Sequence, residues 1–358
     1  MKQNQVKWGA VLSYILIIIN TLYGLFLTPY ILGQLGEAEY GVYKTISSFT
    51  SALMVLDIGI GGTMMRYIAR FRADNEDEKI PNYIAMSFIQ AAIICGMVAV
   101  ISGGLFFSLD TIYSNGLTSA ELERAKQLYI FLALGVIFHI FENAVNGVIT
   151  GYNCFIFANG VKVIRIGARA LALVILLFFF KNSLVIVLVD LFITIALILI
   201  ELLYIRFALR VTIRFSHWEG SLFKESFRYT MLLFITTIAA QINGNLDNVV
   251  IGAIVGSAAV TVYSMGLLIF NMFEQLSVAL SGVMLPTVTQ TLKGDDEKYT
   301  ATQKLIVRVG RIQFILLGAA LSGFIVLGKP FIELWLGAGF EDVYMIVLIL
   351  MVPSLLEL

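Results

Sequence analysis

Residues Leu53 to Arg70 read LMVLDIGIGGTMMRYIAR, and Asp57 interrupts an otherwise apolar run. A carboxylate at bilayer depth is costly unless it has a partner or faces water. Asp57 therefore marks either a membrane span with a polar interior or a run that does not span at all. Composition removes the second option. The 358 residues are 59% hydrophobic and 13% charged, with a mean hydropathy of +0.90, well outside the usual range of soluble domains.

Working outward from this stretch, apolar runs of 20 or more residues follow one another along the whole chain, each long enough to cross roughly 30 Å of hydrocarbon. The reading is an all-α, polytopic membrane protein with ten spans near residues 9–31, 40–65, 82–109, 127–150, 158–180, 183–205, 228–254, 258–289, 305–328 and 342–358. Lys2 and Lys7 lead straight into the first run with no cleavage pattern. Basic residues near span ends are retained in the cytoplasm. With the N-terminus inside, 19 Lys and Arg fall on the inner side and 5 on the outer, so a cytoplasmic N-terminus is expected. The zero net charge hides this asymmetry.

At an offset of 220, Gly36, Ala38, Val42, Tyr43, Leu56, Gly62 and Met64 match Gly256, Ala258, Val262, Tyr263, Leu276, Gly282 and Met284 without a gap. An even number of spans separates the copies, so the two halves would share one orientation about an axis along the membrane normal. The expected architecture is two pseudo-symmetric lobes: residues 1–210 with six helices, and 211–358 with at least four. Two full copies would exceed the chain, so the second lobe is expected to be incomplete.

Helical periodicity places Asp57 on a stripe with Tyr43, Ser47, Thr50, Met54 and Gly61, and its repeat counterpart carries Glu274. The fourth span carries His139, Glu142, Asn143, Asn146 and Thr150. The seventh carries Gln241, Asn243, Asn245, Asp247 and Asn248, and the first carries Ser13, Asn20, Gly24 and Thr28. One polar face on each of several helices implies a hydrated cavity, with Asp57, Glu142, Asp247 and Glu274 as candidate cation-coupling acids. Asn20, Asn143, Asn146, Gln241, Asn243 and Asn245 are then candidate lining residues. Interhelical hydrogen bonding alone also accounts for such stripes. Asp190 and Glu201 read as acids reaching the interface. Gly59, Gly61, Gly62, Gly252 and Gly256 read as points of close approach or bending.

Other chemistry is excluded on context. Gly323 to Lys329 fits a G-x-x-x-x-G-K pattern, but Pro330 stands where a magnesium-holding hydroxyl belongs and no strand precedes it. His139 and Glu142 have helical metal-pair spacing, yet the other histidine, His217, lies in a charged loop. No metal, cofactor, enzymatic nucleophile or nucleic-acid partner is expected. Cys95 and Cys154 form no framework.

The text resembles the lipid-linked oligosaccharide flippases of the polysaccharide-export branch, in the superfamily that includes multidrug and toxin extrusion transporters. The resemblance is carried by Thr28-Pro29-Tyr30-Ile31-Leu32, Leu35 to Tyr43, Leu56 to Gly61, Arg66-Tyr67, Asp247 to Gly256, and Val262-Tyr263. It implies a non-enzymatic flippase in a bacterial inner membrane. Such a protein would move an undecaprenyl-pyrophosphate-linked oligosaccharide outward by alternating access, coupled to H+ or Na+, among membrane lipids and beside glycan polymerase and ligase machinery. Rival readings are a cation-coupled multidrug antiporter and a non-transporting membrane scaffold. A pyrophosphate head group calls for Arg or Lys. No basic residue is read at mid-membrane, so Arg66, Arg228, Arg308 and Arg311 at inner span ends, and Lys44 on the outer side, are the candidates to receive it.

Overall fold

The computed structural model describes residues 2–57, 59–114, 116–216, 218–291 and 298–357. Among them are eleven α-helices and no strand: α1 Lys2–Leu35, α2 Glu37–Ser51, α3 Ile60–Ala73, α4 Ile80–Tyr113, α5 Ser119–Gly151, α6 Phe155–Phe179, α7 Ser183–Leu203, α8 Gly220–Ile254, α9 Ser257–Thr291, α10 Lys298–Leu336 and α11 Asp342–Glu357. The chain is a multi-pass membrane protein; among the described residues, six helices are long and apolar enough to cross a membrane. The helices group into two compact units, Met1–Val260 and Thr261–Leu358.

The span expected as one helix over 40–65 is broken between Ser51 and Ile60. The Thr50 and Ser51 hydroxyls donate back to the carbonyls of Ile46 and Ser47, a competition that bends helices. The chain then tightens into a 3-10 turn over Ala52–Asp57. Gly59 follows at φ 63°, ψ 34°, a left-handed conformation that costs any side-chain-bearing residue about 1–2 kcal/mol. Asp57 thus sits at the end of a break in the helix, where the backbone has already left regular geometry.

In the first unit α5 is the central post, packed by α2, α3, α4, α6 and α7, while α1 lies along α6. Hydrocarbon offers no hydrophobic drive between helices, so close backbone approach and polar contacts hold them. A Cβ on Gly61 would stand 2.5 Å from the Asn143 carbonyl oxygen, and one on Gly147 would stand 2.5 Å from the Gly61 carbonyl oxygen. The crossing of α3 and α5 therefore needs glycine on both sides. Tyr83 stacks on Tyr67 at 5.4 Å and meets the Phe71 edge at 5.6 Å, closing the core at one end. The start of α5 is fixed by a capping box: the Thr118 side chain accepts from the Glu121 N–H, and the Glu121 carboxylate accepts from the Thr118 N–H at 2.8 Å.

The backbone also bears on the internal repeat. Gly36 before α2 has φ 78° and Gly256 before α9 has φ 117°, so the matched glycines both turn the chain between two helices through positive φ. In the second unit α11 packs on α10. There the Gln313 amide donates to the Ser277 hydroxyl at 3.0 Å, and Ile346 fills the space left by Gly266.

Candidate functional site

The polar stripe on α5 reaches three different neighbours. Glu142, 8% exposed, accepts from Arg165 of α6 through both carboxylate oxygens, at 3.0 and 2.9 Å. His139 stands 3.4 Å from the same carboxylate. Asn143 donates to Asp57, tying α5 to the broken helix, and Asn146 donates to Glu201 of α7 at 3.1 Å. Residues spaced three and four apart share one helix face, which is why one stripe serves three contacts.

A second ion pair lies deeper in the same layer. Arg169 of α6 forks onto both oxygens of Asp190 of α7 and donates to the Tyr23 hydroxyl of α1. Arg165 also donates to the Thr194 hydroxyl of α7 at 2.6 Å. Arg169 is fourteen residues into α6, about 21 Å along the axis. Lys162, Arg165 and Arg169, counted in the sequence with the inner end of their span, thus stand within the body of α6 and not at its end, and Asp190, read as reaching the interface, is the partner of Arg169.

These side chains border a cavity of about 390 Å³ within the first unit, walled by α1, α2, α5, α6 and α7. Its polar lining includes Asn20, Tyr23, Ser47, Thr50, His139, Arg165, Arg169, Asp190 and Thr194. Two guanidinium groups and one carboxylate thus line the space: Arg169 is bonded directly to Asp190, and Arg165 is held by Glu142, which stands behind it and does not line the cavity. A paired carboxylate holds each guanidinium in place, and Arg presents a planar fork suited to phosphate.

The other expected positions fall as follows. Asn20 lines the cavity, whereas Asp57 is held by Asn143, and Asn146 donates to Glu201, beside it. Asp57 keeps one buried oxygen, Oδ1, without a hydrogen-bond partner, as does Glu201 at Oε2. Asp247 is exposed on α8. Glu274 is half-buried on α9 and belongs to the second unit. The side chains of Ser13, Gln241, Asn243, Asn245 and Arg308 lie outside the described residues. Arg66 is exposed with its guanidinium 4.2 Å from the Tyr229 ring, Arg228 and Arg311 are exposed, and Lys44 is half-buried, 5.6 Å from the Tyr40 ring. None of these four borders the cavity. Among the described residues, no three His, Cys, Asp or Glu side chains group as a metal site.

A family model described as "Polysaccharide biosynthesis protein" matches residues 7–292, most of the chain. The chain belongs to the polysaccharide biosynthesis protein family. A Salmonella typhi relative described as a candidate O-antigen transporter is 32% identical over 108 residues. That match covers 29% of this chain and 23% of the relative. Among solved structures, an inward-facing multidrug resistance MATE family transporter of the MOP superfamily is similar, with a TM-score of 0.66 and 17% identity. It covers 88% of this chain and 79% of that one. An outward-facing structure with the same description matches with a TM-score of 0.66 and 18% identity over 99% and 79% of the two chains. This member of the polysaccharide biosynthesis protein family therefore has the MATE transporter fold.

Proposed function

We propose that this chain is a membrane transporter that flips a lipid-linked oligosaccharide between leaflets, its pyrophosphate head passing Arg165 and Arg169. The carrying observation is that two guanidinium groups, Arg165 and Arg169, line the cavity wall. A pyrophosphate gains charge-assisted hydrogen bonds from such forks, whereas an organic cation finds a single lining carboxylate, Asp190, already held by Arg169, which weighs against a multidrug cargo. Ordered ion pairs around open space also weigh against a pure scaffold. Family membership and the relative described as an O-antigen transporter support the same cargo.

In this reading residues 1–210 and 211–358 act as two lobes that rock in alternating access within a bacterial inner membrane, the N-terminus cytoplasmic. Arg66, Arg228, Arg308 and Arg311 collect the head group at the inner surface and Lys44 meets it outside. Of the four acids first expected to couple to a cation, Asp57 fits a proton best: one oxygen is held by Asn143 and the other is buried and unpartnered. Glu142 is already occupied by Arg165 and His139; Asp247 and Glu274 are secondary candidates. Na+ asks for several oxygen ligands, whereas the side chain that Asp57 meets presents an amide N–H, from Asn143.

The test is transport by the full chain in vesicles, offering a fluorescent polyprenyl-pyrophosphate sugar in one arm and a fluorescent organic cation in the other. Flipping of the first without efflux of the second is expected. Gradient-driven efflux of the cation alone would replace this reading with the antiporter.

A further inference from the structure

The segment joining α7 to α8 belongs to neither the cavity nor its ion pairs. It reads Arg206-Phe207-Ala208-Leu209-Arg210-Val211-Thr212-Ile213-Arg214-Phe215, three arginines spaced by four with a phenylalanine after the first and the last. Local structure holds it in a defined shape. Tyr204–Ala208 widens into a π-helical turn, a geometry frequent at functional sites, and Arg210 takes φ 54°. Ile205 and Val211 are buried in the core beside Tyr67 and Phe71. The Arg214 N–H donates to the Pro81 carbonyl at 3.3 Å, and the Ser216 N–H donates to the Asn82 side chain at 3.0 Å.

This anchoring leaves Arg206 and Arg214 facing one open cleft of about 450 Å³, lined also by Leu202, Ile205, Val211, Thr212 and Ile213. No acid pairs with Arg206, Arg210 or Arg214 among the described residues. Elsewhere at this end Arg70 pairs with Glu225 and Lys79 with Glu76, while Arg66 and Arg72 stack on the Tyr229 and Tyr152 rings. Arg206 falls two residues before the end of the apolar stretch Ser183–Ala208, which puts the cleft at head-group depth. Phe207, Phe215 and Trp218 are 73%, 53% and 49% exposed, forming the aromatic belt that marks a membrane–water boundary.

We infer that the cleft between Arg206 and Arg214 binds the phosphodiester of an anionic membrane phospholipid. Two unpaired guanidinium groups supply the charge and the planar donors a phosphodiester accepts. The exposed phenylalanines and Trp218 sit where the glycerol and upper acyl chain would lie. An apolar rim around a soluble phosphate would serve nothing, so the lipid is the source the surface fits. Occupancy would tie the loop between α7 and α8 to lipid composition.

Trp218 provides the readout. With Trp8→Phe and Trp335→Phe it is the remaining tryptophan of three, and its quenching by brominated phosphatidylglycerol is compared with that by brominated phosphatidylcholine for the full chain in vesicles. A preference of about thirtyfold for the anionic lipid is expected from two interfacial arginines, falling to about one in Arg206→Gln/Arg214→Gln and kept in Arg206→Lys/Arg214→Lys. Equal quenching by the two lipids, or a preference unchanged in the glutamine pair, overturns the inference. So does an equal loss in Arg210→Gln, which would mean diffuse attraction without a cleft. Displacement of the brominated lipid by inorganic phosphate would overturn the lipid assignment. Should the glutamine pair fail to fold, high salt applied to the parent chain decides: the preference should collapse, and its survival refutes the site.

Discussion

Replacing Arg165 by Met tests the layer of ion pairs that shapes the cavity. The change leaves Glu142, whose side chain is 10% exposed, without the guanidinium that contacts both its oxygens. Breaking a buried pair from one side costs about 3–5 kcal/mol. Two features of the structure pull the cost to about 3: Arg165 itself is 28% exposed, and His139 at 3.4 Å can still supply a positive partner. Removing both charges, in Arg165→Met/Glu142→Leu, takes away the uncompensated carboxylate and should cost only about 1 kcal/mol, because apolar replacements of buried pairs are near neutral. The third variant, Glu142→Leu alone, strands Arg165 instead, and any cost it carries adds to the difference above, so the predicted coupling is at least about 2 kcal/mol between directly bonded groups. Denaturant unfolding of the lipid-reconstituted chain, followed by tryptophan fluorescence, measures all three variants. A single-variant cost under about 1 kcal/mol, or costs that simply add in the double variant, would refute the claim that this pair is a buried structural unit.

Further substitutions probe other links. Gly147→Val forces a side chain to within 2.5 Å of the Gly61 carbonyl oxygen and should destabilise by at least about 1–3 kcal/mol, whereas Gly103→Ala, with open space around it, should be tolerated; equal unfolding midpoints for both would contradict the α3–α5 crossing. Gly59→Ala should cost about 1–2 kcal/mol through its left-handed backbone, and no loss would mean the helix break lies elsewhere. Asp57→Asn keeps an acceptor for Asn143, so the fold should survive while the response of transport to an imposed proton gradient disappears; a retained response removes Asp57 from coupling.

Much of the architecture is legible in the text because a bilayer forces backbone polar groups to pair internally, leaving apolar runs of span length as an open signature. The α5 stripe is equally visible, since Glu142, Asn143 and Asn146 are isolated polar residues in apolar text. Its partners are not, because Arg165, Asp57 and Glu201 come from three other helices. The misreading of Arg169 has a definite cause. Counting basic residues by side of the membrane assigns each to the nearest span end, yet α6 begins at Phe155, four turns before Arg169. A usable signal is the turn after Phe179: the pairs Arg169 and Asp190, and Arg165 and Thr194, are both centred between residues 179 and 180, at the start of that turn, where an antiparallel helix hairpin brings residues together. The break at Asp57 was hidden for another reason. Hydropathy reports burial and says nothing of backbone direction, which here turns on two hydroxyls and one left-handed glycine.

The central claim is that guanidinium groups at mid-span carry an anionic head group across the membrane. Its most direct test is the rate at which a labelled polyprenyl-pyrophosphate oligosaccharide moves between leaflets of vesicles holding the parent chain or Arg169→Gln, at equal amounts of folded protein. The account predicts a loss of about tenfold or more, the size of one charge-assisted hydrogen-bond contact. Equal rates in the two would contradict it.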